Sequence, residues 1–263
     1  MSHVGVLSRE AFDAIEFDAA RTGDHRAAAQ EMTQLADSGT QTAAMPRADA
    51  YMRAGEQWLL ADDPAAAANG FLRAIEDGGP SFADPRVPLA RALFMMDETA
   101  EAEALISRLA AEPPRDPRTC DMAAELLEER SDLIGALAWA NAGVELCLGR
   151  SPGPVASAGD VDSEPVVPQA AAGDDQADAL PGLVTGDRAE LRLLLSLRFR
   201  IRNDLGLPED AYDRLLDEFG SEPGTVSGTG LPGRTVSASA AGSRSTRTVS
   251  PSVISPDRSA WAS

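Results

Sequence analysis

Apolar positions recur at three- and four-residue intervals from Ser8 to about Gly149, without a stretch of strict alternation. That period predicts helix after helix and no strand. Short turns interrupt it at Gly23-Asp24, Asp62-Asp63, Asp97-Glu98 and Ser131-Asp132. An alanine follows each turn, at Ala28, Ala67, Ala102 and Ala136, with an apolar residue about four positions on. These alanines are 39, 35 and 34 residues apart, the first interval lengthened by a loop over Ser38–Pro46. Self-similarity at a fixed period of this size predicts stacked helix pairs.

A second helical pattern covers 187–219. Asp187 with Glu190 has the spacing of a capping box, Gly206 closes the first helix, and Pro208, Glu209 and Asp210 open the second. Leu191, Leu194, Leu195, Phe199 and Ile201 spread too widely for one narrow stripe, so this helix should be buried on two sides. Tyr212, Leu215, Leu216 and Phe219 of the second helix cover one side. Between the helical regions, 151–186 is rich in Pro, Gly, Ala and Asp, and 220–263 is rich in Ser, Thr, Gly and Pro. Neither carries enough apolar surface to offset ordering, so both are expected to be disordered, one as an acidic linker and one as a tail.

Within the second unit, counted from Ala48 as position 1, large residues fall at 4, 11 and 24 (Tyr51, Trp58, Phe71) and small ones at 7, 8, 20 and 27 (Ala54, Gly55, Ala67, Ala74). This order resembles a tetratricopeptide repeat, in which small residues let two antiparallel helices approach. The third unit repeats it with Leu89, Ala90, Leu93, Ala102, Ile106 and Leu109, but has Arg86 at position 4. The fourth repeats it with Cys120, Ala123, Ala124, Leu127, Ala136 and Gly143, with Trp139 beside the alanine at position 24. The first has Phe12, Ile15, Ala28, Met32 and Leu35, but Glu16 at position 8. The stretch LRFRIRNDLGLPEDAYDRLLDEF is also similar to segments of actinobacterial tetratricopeptide proteins. Some of those end in a cysteine-rich zinc motif, which this cysteine-free tail lacks. The expected fold is all-α: an α-solenoid of about four such pairs over 1–150, the linker 151–186, a helical hairpin at 187–219 and the tail 220–263.

Composition narrows the chemistry. Among 263 residues, 23 are arginine, none is lysine and 42 are acidic, for a net charge of −19. A lysine Schiff base and a phosphate-loop lysine are excluded, and the charge disfavours nucleic acid as the main partner. With two cysteines, Cys120 and Cys147, and two histidines, no cysteine-rich zinc site is expected. The cysteines read as buried thiols and His25 as a turn residue. No carboxylate pair, serine–histidine pair or phosphate cradle stands out, so no enzyme activity, cofactor or metal is expected. The N-terminus lacks the pattern of a signal peptide. The most apolar stretch, Leu133–Leu148, is too short to span a bilayer. A cytoplasmic protein is expected.

The resemblance implies a concave face lined at positions 2, 5, 9, 12 and 13. Carried over, these are Asp49, Met52, Glu56, Leu59 and Leu60; Asp84, Val87, Arg91, Phe94 and Met95; and Arg118, Asp121, Glu125, Glu128 and Glu129. The implied function is that of a non-enzymatic scaffold or adaptor, its acidic groove taking a basic and apolar protein or peptide segment. The chain's own hairpin is a further candidate partner. The linker has a random-coil reach of about 30 Å, so the hairpin can return to the repeats through Arg192, Arg198 and Arg202, as a cap or as a ligand in the groove. The alternative is a regulatory or accessory subunit whose Arg-rich helix (187–204) contacts nucleic acid or an anionic protein surface.

Overall fold

A computed structural model describes residues 6–155 and 185–221, with side chains over 6–155 and 188–216. The expected disorder of the tail, and of the linker from residue 156 to 184, lies outside the described residues. Ten helices are seen among those described: α1 Arg9–Thr22, α2 His25–Ser38, α3 Arg47–Leu60, α4 Pro64–Asp77, α5 Arg86–Met95, α6 Thr99–Ala110, α7 Pro117–Glu129, α8 Leu133–Cys147, α9 Thr185–Asp204 and α10 Ala211–Ser221. The fold is all-α, as the periodicity predicts. One isolated bridge, with Leu7 N donating to Thr40 O at 2.8 Å, ties the N-terminal strap to the loop after α2.

The turns between paired helices share one geometry. A left-handed residue (Gly23, Asp62, Asp97 or Ser131) precedes the helix-capping residue. Asp24, Asp63 and Asp132 then accept from the backbone N–H of Ala27, Ala66 and Gly135, satisfying donors that the first helical turn leaves unpaired. The acidic turns of the sequence are therefore the N-caps of the second helices. Helices α3 and α4 approach so closely that a Cβ on Gly55 would stand 2.4 Å from Phe71 Cε1. The other small positions, Ala54, Ala67, Ala74, Ala90, Ala102 and Ala136, are buried at the same contacts.

The core runs along the stack instead of gathering at one centre. One cluster joins Phe12, Met32, Met52, Tyr51 and Phe71 of α1–α4. A second joins Ile106, Leu127, Leu137 and Trp139 of α6–α8 to Leu197 and Ile201 of α9. Leu93, Leu105 and Met122 pack against both. Each helix rests mainly on its neighbours in sequence, the arrangement of a helical repeat stack. The two departures from the pattern are ion-paired: Arg86 with Asp84 and Glu112, both at 2.7 Å, and Glu16 with Arg53.

The hairpin extends the stack. Helix α9 lies against α8 and α7 as α3 lies against α2 and α1, and α10 folds back on α9, so the two make a fifth helix pair. Leu191, Leu194, Leu195 and Tyr212 bury themselves with Val144 and Cys147 of α8. A Cβ on Gly143 would meet Leu194 Cδ2 at 2.7 Å and Cys120 Cβ at 2.9 Å, so glycine there sets how near α9 can sit. Two boundaries differ from expectation. Helix α9 begins at Thr185, placing Asp187 inside its first turn. Val155, read as linker, is buried in the second cluster because its side chain finds apolar cover there.

Candidate functional site

First helices of successive pairs touch one another: α1 with α3, α5 with α7, and α7 with α9. Among the described residues the second helices make no comparable contact across pairs. The row of first helices, interrupted between α3 and α5, is therefore the closer-packed, inner side of the stack. An arginine–carboxylate pair spans each of those three contacts. Arg53 of α3 donates to Asp13 at 2.6 Å and to Glu16 at 2.5 Å on α1. Arg91 of α5 meets Glu129 of α7 at 3.0 Å, and Arg200 of α9 meets Glu128 at 2.6 Å.

The residues carried over from the repeat pattern divide by position. Those at position 5 are packing residues: Met52, Val87 and Asp121 are all buried where one pair meets the next. Met52, expected in the groove, sits wholly inside the first core cluster, because the neighbouring pair covers it. Asp49 is buried as well and accepts from Phe82 N at 2.9 Å, fixing the loop before α5. Asp84 lies in that loop, binding Arg86 through its carboxylate and donating its own N–H to Thr119 Oγ1 at 2.8 Å. Those positions hold structure.

The remaining positions form an accessible strip. Leu60 and Met95 are 61% and 45% exposed. Leu59 and Phe94 are half-buried beside them, and the Arg130 guanidinium lies 4.6 Å from the Phe94 ring centre. On the same row of helices Arg118 acts on both Glu56 and Glu125, Arg91 pairs with Glu129, and Glu128 pairs with Arg200. Burial pushes the Glu56 carboxyl up to about 7, with Glu16 and Asp49 adding to the rise and Arg118 and Arg53 opposing it. Burial likewise raises Glu125, helped by the Asp121 charge. Asp121 is raised although Arg118 donates to it at 3.0 Å, because burial outweighs the pair. The strip thus combines half-buried Glu56 with exposed Glu125 and Glu129 and exposed apolar side chains.

The arginines named for docking behave differently from expectation. Arg192 is exposed. Arg198 is buried, donating to Asp210 and to Asp213 (3.0 Å) within the hairpin and to Asn141 Oδ1 of α8 at 2.6 Å. Arg202 pairs with Asp213 at 3.3 Å and donates to Pro208 O at 2.5 Å. Burial pushes the Asp210 carboxyl up, yet the Arg198 hydrogen bond and charge win and hold it below its usual range. These ion pairs bind the hairpin to itself, Arg198 reaches α8 through Asn141, and the apolar face covers the rest of that contact. Arg200 reaches a carboxylate of the preceding pair, Glu128. The hairpin is a cap and does not lie in the groove.

Cys120 and Cys147 are buried thiols. Burial raises the Cys120 thiol far above its usual range, which keeps it protonated and unreactive. Among the described residues no group of three metal-ligating side chains is gathered, and no helix is long and apolar enough to cross a membrane. Glu190 and Arg200 lie on α9, beyond the three units whose repeat positions define the expected groove. No family model, curated protein or solved structure matches the chain.

Proposed function

We propose that the chain is a protein-binding scaffold whose inner face takes an extended or helical segment bearing basic and apolar residues. The observation that supports this most is that the same row of first helices carries both exposed apolar side chains, Leu60 and Met95, and a run of linked carboxylates, Glu56, Glu125 and Glu129. Apolar side chains of a partner cover the leucine and methionine, and its cations meet exposed Glu125 and Glu129 and half-buried Glu56, a complementary charge that steers and orients the segment. The resemblance to tetratricopeptide proteins points the same way. The alternative, an Arg-rich helix that grips an anionic partner, is not favoured: Arg198 and Arg202 are buried in ion pairs and Arg200 is engaged with Glu128.

An array of 12-residue peptides combining arginine with leucine or phenylalanine tests the reading. Wild type should retain a subset of them. Glu125→Arg/Glu129→Arg should lose those peptides, and Leu60→Ser/Met95→Ser should weaken them. Equal retention by wild type and both variants refutes the assignment.

A further inference from the structure

At the edge of the inner face a pocket of about 390 Å³ opens where three pairs converge. Its apolar walls are Phe82 from the loop before α5, Pro117 at the start of α7 and Leu146 near the end of α8. Asp116 and Glu190 supply the carboxylates, and Arg118 stands at the rim. That volume is near the small end of ligand sites and suits one side chain better than a cofactor.

The charges in this pocket are unequally satisfied. Arg118 is turned toward Asp121, donating to it at 3.0 Å. The Asp116 carboxylate accepts from Thr119 N at 2.6 Å and Thr119 Oγ1 at 2.8 Å, capping α7. Glu190 Oε1 is buried and has no hydrogen-bond partner among the described residues. A buried carboxylate oxygen left without a donor is costly, by about 1–3 kcal/mol or more. Asp121, itself buried, feels the Glu190 charge as an added repulsion. A cation entering the pocket supplies the missing donor and relieves that repulsion together.

We infer that this pocket receives the guanidinium of an arginine carried by the segment bound along the inner face, with Glu190 as its carboxylate acceptor. A planar fork of N–H donors can address Glu190 and Asp116 while the arginine's methylene stem lies on Phe82 and Leu146. Arg118 and Asp121 join the pocket to the inner strip, so a segment lying across Glu125 drops one side chain into it. This inference rests on the binding role proposed above and adds a specificity element to it.

The test uses the full chain and fluorescence anisotropy. Dodecapeptides selected from the arginine-containing array are compared with versions in which citrulline, a neutral isostere, replaces each arginine in turn. For wild type, one replacement should weaken binding at least tenfold more than the others. In Glu190→Gln that singular effect should fall to about two- or threefold, while Leu60→Ser/Met95→Ser should weaken all peptides and leave it in place. A full citrulline effect in Glu190→Gln overturns the pocket assignment and leaves the groove standing. Failure of every array peptide to bind wild type overturns both.

Discussion

Glu56 links the stability of the stack to its binding face. Its carboxyl, ordinarily near 4.5, is pushed up to about 7. The folded chain therefore holds this proton more tightly than the unfolded chain does. As pH rises from about 4.5 to about 7 the unfolded form gives up the proton first, so folding stability falls across that window and levels off above it. If burial acted in full, the loss would be about 3 kcal/mol at 1.36 kcal/mol per pH unit. Solvent reaching the half-buried carboxylate reduces it to about 1–2 kcal/mol. Glu56→Gln keeps the shape and hydrogen-bonding capacity but never ionises. Its melting midpoint should match wild type near pH 4.5 and exceed it by about 2–8 °C at pH 8, taking about 2–4 °C per kcal/mol for a chain of this size. Differential scanning calorimetry of both proteins at half-unit pH steps measures the difference directly, because every other carboxylate is common to the two. A midpoint difference that stays constant from pH 4.5 to 8 refutes the reasoning. Wild-type binding of arginine-containing peptides should strengthen over the same window, since ionised Glu56 then adds a charge to the inner strip.

Gly143→Ala places a methyl group against Leu194 and Cys120 and should destabilise the fifth pair by about 1–3 kcal/mol, seen as faster hydrogen exchange in α9 with little change in α1–α4. Arg198→Ala takes one of the two cations from buried Asp210 and Asp213, leaving them Arg202, and should weaken the hairpin by up to about 3–5 kcal/mol; unchanged exchange protection over 188–216 contradicts the assigned role. Asp116→Ala removes the cap of α7 and should lower stability by about 1 kcal/mol, measured by urea denaturation.

The pairing of helices was legible because it rests on side-chain size at fixed intervals. Gly55, Ala67, Phe71 and Ala136 declare a close contact whether or not their partner is known, and all of them are buried where such contacts occur. The acidic turns were legible for a similar reason, since a cap needs only local chemistry. Position 5 is buried because Met52, Val87 and Asp121 depend on how far one pair leans over the next, a quantity the sequence of one pair does not contain. Arg198 and Arg202 show the same limit from another side. An arginine-rich helix looks basic in isolation, yet its charges are neutralised by Asp210 and Asp213, which follow only after the Gly206 turn.

The fifth pair also solves a problem common to every stack of helices. Without it, α8 would present Val144, Cys147 and the bare backbone at Gly143 to water, since no following pair would cover them. Helix α9 covers that face with leucines, which leaves its other side to be closed by α10. Tyr212 supplies part of that closure, and the rest is polar: Arg198 and Arg202 are held between Asp210 and Asp213, and Tyr212 donates to Glu145 while accepting from Arg150 at 2.8 Å. A buried ionic layer of this kind adds little net stability over an apolar one, but it tolerates only the arrangement that satisfies all its charges.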